Sequence, residues 1–213
     1  MIISRGRRYI FVHIPKTGGT ALALADDILI GDTPKAVKRR GRLKGVETVG
    51  RLWKHSTLAD IEGLVSREEM GDFVIFTLVR NPWDRMVSYY HWLKDQTFDH
   101  PAVALAQEWP FADFLLHPQT IASVKANPHG SYLRDGSGRE RAGHFVRIEH
   151  FEQDFAPVAA HLGFDLVLDR VNVSARDRDW RGYYYADLAA HVGDLCAEDV
   201  ARFGYSFEGG AHG

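Results

Sequence analysis

Residues 72–79, DFVIFTLV, form an almost unbroken apolar run between Gly71 and Arg80. A strand with one wet face alternates apolar and polar residues, so a run with no polar side reads as a central strand buried on both faces of a parallel sheet. Parallel neighbours need long crossover connections, and an α/β architecture follows. A second strand is read at Tyr9, Ile10, Phe11 and Val12, strand formers that precede Pro15. The chain has 213 residues, 45% hydrophobic and 25% charged, which suits one globular domain spanning 1–213 with a large core.

Each strand runs into a turn that carries a cation. In FVHIPKTGGTALAL, residues 11–24, Gly18 and Gly19 let bare backbone approach a ligand, and the following Ala/Leu segment starts a helix. Exposed first-turn amides, the positive end of the helix dipole and Lys16 together favour an anion of the phosphate type. The pattern differs from the nucleotide loop GxxxxGK[ST], because Lys16 precedes the glycine pair and no upstream glycine is present. In RNPWDRMVSYYHW, residues 80–92, Asn81 is a good N-cap, Pro82 suits the first helical position and Asp84 adds first-turn negative charge. Ser88 lies four residues beyond Asp84 on the same helix face, placed to join Arg80 around one anion, with Arg85 as a further cation. The plainer alternative is that Arg80 pairs with a carboxylate and Ser88 is a small packing residue.

Two cation-bearing turns at the carboxyl edge of one parallel sheet point to a ligand with two separate anionic ends. At this point a resemblance becomes specific. HIPKTGGT resembles the 5'-phosphosulfate loop, and RNPWDRMVSYY the 3'-phosphate segment, of sulfotransferases that use 3'-phosphoadenosine 5'-phosphosulfate (PAPS). Residues 144–164 resemble that family's strand-then-helix segment, and NVSARDRDWRGYYYADLAAHVGDLCAEDVARFGYSF resembles the C-terminal region of its Golgi-type and bacterial carbohydrate members, sulfotransferase family 2. The likeness thins between 30 and 50 and between 95 and 140. It implies an α/β fold with a central, mainly parallel sheet flanked by helices, related to the P-loop NTPases. It also implies PAPS as co-substrate, no metal, and a hydroxyl acceptor of carbohydrate type. Lys16 would sit at the leaving phosphate oxygen, the amides of Thr17, Gly18, Gly19 and Thr20 would cradle the 5'-phosphate, and Arg80 and Ser88 would hold the 3'-phosphate. A nucleotide hydrolase often places a carboxylate where this chain has Arg80, which weighs against the alternative of a small-molecule or nucleotide kinase. A second alternative is a module that binds the nucleotide and transfers nothing.

Transfer to an alcohol needs a base. In WKHSTLADIEGL, residues 53–64, Ser56 or Thr57 caps an expected helix with Leu58, Ile61, Leu64 and Val65 on its apolar face, which leaves His55 at its mouth. Several carbohydrate O-sulfotransferases carry their catalytic histidine in this interval, and His55 is similar to it. The rivals have blander readings. His13, alternating with Val12 and Ile14, reads as a buried structural histidine, Asp60 and Glu62 as solvated helix acids, Asp84 as a first-turn charge, and His91 as a side chain lining the acceptor cleft.

The remaining features constrain less. PKAVKRRGRLKG, residues 34–45, reads as a solvated basic loop or a local attraction for an anionic acceptor. Residues 127–144 read as a Gly-rich polar loop carrying Arg134, Arg139 and Arg141 over the acceptor or the 3'-phosphate, and Arg147 and Glu149 as framework residues. Leu188, Val192, Leu195 and Phe203 recur at helical spacing, with Cys196 beside them as a small hydrophobe. The tryptophans and the cluster at Tyr183, Tyr184 and Tyr185 read as core, with stacking on adenine or sugar as the sharper role. One cysteine, no signal-like N-terminus and no apolar run near the roughly 18 residues of a membrane span lead to an expected cytoplasmic protein. In that setting the sequon at Asn172 carries little weight. A net charge of -2 implies no nucleic-acid partner.

Overall fold

The computed structural model describes residues 1–18, 45–141, 143–163 and 179–209. Strands β1 (Ile2–Ser4), β2 (Tyr9–Val12), β3 (Val74–Val79) and β4 (His144–Arg147) form one sheet in the order β1-β2-β3-β4. β1 is antiparallel to β2, while β2, β3 and β4 run parallel, with Phe11 opposite Phe76 and Thr77 opposite Phe145. The α/β class and mainly parallel sheet therefore hold. By contacts the chain divides into two compact units, Met1–Val79 with His129–Val171 and Arg80–Pro128 with Asn172–Gly213.

In the first unit the apolar run of β3 is explained by cover on both faces. Ile10, Val12 and Ile75 pack with Leu58, Ile61, Leu64, Val65, Met70 and Leu133, whereas Tyr9, Phe11, Phe76, Leu78 and Val146 pack with Phe151, Phe155 and Val158. The last three belong to helix α6 (Phe151–Leu162), and Met70 ends the short helix α1 (Arg67–Met70), which Ser66 and Glu69 close with a capping box. Thr77, the one polar side chain in the strand, donates its hydroxyl to the Val12 carbonyl at 2.7 Å, so its burial leaves no hydroxyl unsatisfied. Arg147 ends β4 by gripping Asp154 of α6 through Nε at 2.7 Å and Nη2 at 2.9 Å, the framework role expected of it.

The expected helix over 56–65 is replaced by consecutive turns. Backbone partners from elsewhere engage the segment: the amides of Gly50 and Val49 donate to the carbonyls of Asp60 and Glu62, and the amides of Leu58 and Ala59 donate to the carbonyls of Tyr132 and Arg134. Gly63 sits at φ +98, with the Glu47 carbonyl 2.2 Å from where a Cβ would stand, so neither its conformation nor its space admits a helical residue. The apolar spacing was real, since Leu58, Ile61, Leu64 and Val65 are all buried, but a run of turns delivers it instead of a helix. The loop expected over 127–144 contains a 3₁₀ segment, His129–Leu133, followed by a tight turn around buried Asp135, which accepts from Ser137, Arg139 and Arg141. Arg141 is thereby a local structural partner.

The second unit is helical among the described residues: α2 (Pro82–Lys94), α3 (Pro101–Glu108), α4 (Phe111–Leu116), α5 (Pro118–Ala126), α7 (Ala186–Leu195) and α8 (Ala197–Phe203). α2 starts as its sequence dictates, with the Asn81 side chain accepting from the Trp83 amide at 3.1 Å and Pro82 in the first turn. Its inner face packs an aromatic core in which Tyr90 lies 5.3 Å from both Phe111 and Phe114. The stripe read over 184–203 divides at Cys196, between α7 and α8; burial pushes that thiol up to about 12, so it is an unreactive hydrophobe as expected. Trp83 and Trp180 are core residues, whereas Trp53 and Trp109 are exposed.

Candidate active site

The turn after β2 has an unusual backbone. Lys16 is at φ +66 and Gly18 at φ +82, so two left-handed residues stand one apart. Glycine adopts this conformation freely, but a lysine there costs about 1–2 kcal/mol, and its side chain is not one of the short polar groups that ease it. Thr17, fully buried between them, donates its hydroxyl to the Ile14 carbonyl at 2.9 Å and pins the turn. At Gly18 a Cβ would come no closer than 3.6 Å to Ile148, so the glycine answers to its φ and not to crowding. Left-handed residues in tight turns are how chains build backbone concavities for anions, and strain held at such a place points to function. Gly19 and Thr20, the helix start at 21–24, the basic segment 34–44 and the sequon at 172–174 lie outside the described residues.

His55 is brought to this same turn. Its Nδ1 lies 2.8 Å from the carbonyl of His13, the first residue after β2. A carbonyl only accepts, so Nδ1 carries the proton and Nε2 of the neutral ring bears the lone pair. The ring is held on two further sides, by His13 with centroids 4.7 Å apart and by Trp53 edge-on at 5.0 Å. An imidazole with a fixed tautomer and a fixed plane has the form of an oriented general base.

His13 lies one residue past the strand, half-buried, with its ring also against Phe11 at 5.8 Å. Burial above all, then the facing His55 and nearby Lys54, hold its pKa well below the usual imidazole range. The unfolded chain takes up a proton near pH 6.5 that folded His13 refuses. Its contribution is therefore intact above about pH 6.5 and is lost progressively as pH falls toward the lower folded value. Urea midpoints at pH 8 and pH 5.5 should accordingly differ less in His13→Gln than in the wild type; an equal difference would show that His13 titrates normally.

The rival bases are committed elsewhere. Asp60 accepts from the Thr57 amide at 2.7 Å, and its own amide donates in return to the Thr57 hydroxyl, which organises the turn after His55. Glu62 accepts from Arg67 Nε and Nη2, both at 2.9 Å, and from the Gly136 amide, bonds that hold its carboxyl below the ordinary range.

In the second unit, Arg80 donates Nε at 2.7 Å to Oδ2 of Asp84, one helical turn along α2, and its Nη2 lies within 2.6 Å of the same oxygen. The carboxylate partner foreseen as the plainer alternative for Arg80 thus exists, and Asp84 does more than bias the helix dipole. Ser88 is buried two turns along α2 from Arg80. His91 packs edge-on against Tyr90 at 5.4 Å and Tyr183 at 5.1 Å.

No protein-family model matches the chain, and no curated protein matches it. Among solved structures it is similar to mouse sulfotransferase SULT7A1 complexed with PAP. The two are 18% identical over 93% of this chain and 85% of that one, with a TM-score of 0.48. Among the described residues no group of three His, Cys, Asp or Glu side chains is placed to hold a metal ion, and no helix is long and apolar enough to cross a membrane.

The pairing of His55 with His13 was not foreseen from the sequence. Both histidines stood out individually, but a contact across 42 positions has no local signature. Trp53 was read as core by default, and its place beside His55 depends on a turn that helical periodicity concealed.

Proposed function

We propose that the chain, 1–213, works as one PAPS-dependent sulfotransferase domain that transfers a sulfuryl group to a hydroxyl, on a carbohydrate acceptor. The observation that carries this reading is the anchored His55, with Nε2 basic, beside a cation-bearing turn whose Lys16 is held left-handed. Together they supply the two things sulfuryl transfer to an alcohol requires: a group to take the hydroxyl proton and a cation where charge develops on the departing oxygen. In this reading the acceptor oxygen attacks sulfur in line as its proton passes to His55 Nε2. The S–O bond to the 5'-phosphate breaks, the electron pair stays on the phosphate oxygen near Lys16, and adenosine 3',5'-bisphosphate (PAP) leaves. Amides of Thr17, Gly18, Gly19 and Thr20 hold the 5'-phosphate, and Arg80 and Ser88 the 3'-phosphate. Asp84 engages one edge of the Arg80 guanidinium and fixes its plane; the arginine fork carries five donors in all. The chemistry uses no metal, and the protein is proposed to work in the cytoplasm.

Calorimetric titration with PAP, against ATP plus magnesium, tests the reading. PAP should bind in preference, and Arg80→Ala should weaken it about 10- to 100-fold, the worth of a charge-assisted hydrogen bond of about 1.5–3 kcal/mol. Thermal midpoints measured alongside separate lost binding from lost stability, since the change also strips Asp84 of its partner. Preference for ATP with magnesium would assign the turn to a kinase, and PAP binding without transfer to any acceptor would leave a binding module.

A further inference from the structure

The chain after α8 folds back onto the first turn of α2. Gly204 ends α8 at φ +68, and Phe207 then enters a box of three rings, edge-on to Trp180 at 5.3 Å, Tyr184 at 5.6 Å and Trp83 at 5.8 Å. Arg181 clamps the same stretch by its backbone, donating Nε to the Phe207 carbonyl at 3.2 Å and Nη2 to the Glu208 carbonyl at 3.3 Å, with its guanidinium over the Trp180 ring. The Gly209 amide donates to Ser206 Oγ at 2.7 Å and closes a turn. A third hold comes from Asn81, whose Nδ2 donates to the Ser206 carbonyl at 3.2 Å.

Asn81 therefore does two jobs. Capping α2 needs only a side-chain oxygen to take the Trp83 amide, and serine or aspartate supplies one as well as asparagine does. What asparagine adds is an NH2 donor, and here it goes to Ser206. Trp83, the second residue of α2, is tied on its other sides: its carbonyl accepts from the Tyr184 hydroxyl and its indole N–H donates to the Ala189 carbonyl, both at 2.8 Å. Helix ends ordinarily fray, and this one is held on both sides of Pro82. Arg80 is the covalent neighbour of Asn81, and its guanidinium engages Asp84 on the same turn.

Resting on the sulfuryl-transfer reading above, we infer that residues 206–208 are a strap that positions the 3'-phosphate end of the nucleotide site, with Phe207 and Asn81 acting through Arg80. An arginine fork binds a phosphate through paired, directional hydrogen bonds, which weaken steeply when the donors are tilted. Asp84 fixes the plane of the guanidinium, and the strap fixes the backbone from which that side chain springs. The strap thereby acts on the half of the ligand that Arg80 reads and leaves the 5' half to the turn after β2.

The test is calorimetric titration of PAP, and of adenosine 5'-monophosphate in competition with it, into wild type, Asn81→Ser, Phe207→Ala, Arg80→Ala and the pair Asn81→Ser/Arg80→Ala. Thermal midpoints are measured alongside. PAP should bind about 3- to 10-fold more weakly to Asn81→Ser and to Phe207→Ala, the worth of about one hydrogen bond, while the monophosphate, which has no 3'-phosphate, stays within about twofold. Asn81→Ser keeps the helix cap, so it carries the test if Phe207→Ala fails to fold. On the Arg80→Ala background Asn81→Ser should cost no further PAP affinity, because the two act as one unit. Wild-type PAP affinity in either folded variant, equal losses for PAP and the monophosphate, or a full further loss on Arg80→Ala would each overturn the strap while leaving the nucleotide site in place. A wild type that binds the monophosphate as tightly as PAP would overturn the nucleotide reading, and the strap with it.

Discussion

Lys16→Ala should lower kcat for sulfuryl transfer by at least about 10²–10³-fold, the loss expected when one preorganised donor is removed from a site of developing charge. The backbone makes this a clean substitution. Alanine inherits the same penalty at φ +66 that lysine carries, so the variant loses the ammonium without relieving the turn. Lys16→Gly would remove both, and it should be more stable than Lys16→Ala by about 1 kcal/mol while being equally inactive. The paired measurement, PAP release from PAPS alongside urea denaturation, separates the two roles of the residue. Turnover within threefold of wild type in either variant would take Lys16 away from the leaving group. Equal stability of the two would mean that the turn relaxes when the lysine is gone.

His55→Ala should cost about 10²–10⁴-fold in kcat and leave PAP affinity within about threefold. The split follows from geometry: His55 contacts the turn through the His13 carbonyl, and His13 and Trp53 hold its ring, so its removal leaves Lys16 and Thr17 attached to their own supports. The acid limb of the wild-type pH–rate profile should vanish in the variant, because a base that must be neutral is no longer present to be protonated. A variant that keeps both full turnover and the acid limb would return the base assignment to another group. Asp60 and Glu62 are the poorer candidates, since the Asp60 carboxylate already accepts from the Thr57 amide and Glu62 accepts three structural hydrogen bonds.

Much of the scaffold was legible because it is written in local chemistry. DFVIFTLV demanded cover on both faces, and β3 has it. Asn81, Pro82 and Asp84 marked the start of α2 to the residue, since caps and first-turn charges act within four positions. The failures share one cause. The apolar spacing at 58, 61, 64 and 65 fits a helix, but spacing records only which side chains face inward. It cannot record that Gly63 abuts the Glu47 carbonyl or that residues 49, 50, 132 and 134 hydrogen-bond into the segment. The stripe over 184–203 was likewise read as continuous across Cys196, where the helix breaks.

The site divides along the same line. The order of residues alone names those that carry charge and those that can act as bases: Lys16 in a glycine turn, Arg80 at a strand end, His55 ahead of an apolar stretch. Composition and spacing along the chain suffice for that, because they are covalent facts. The state of those groups comes from packing. The His13 carbonyl selects the tautomer of His55, Asp84 fixes the plane of Arg80, Arg67 and Gly136 occupy Glu62, and the bond from the Trp53 amide to Ser56 Oγ turns Trp53 out to water beside the base. Protonation, orientation and exposure depend on which atoms come within about 3–5 Å, and that distance is set by packing between segments far apart in the chain.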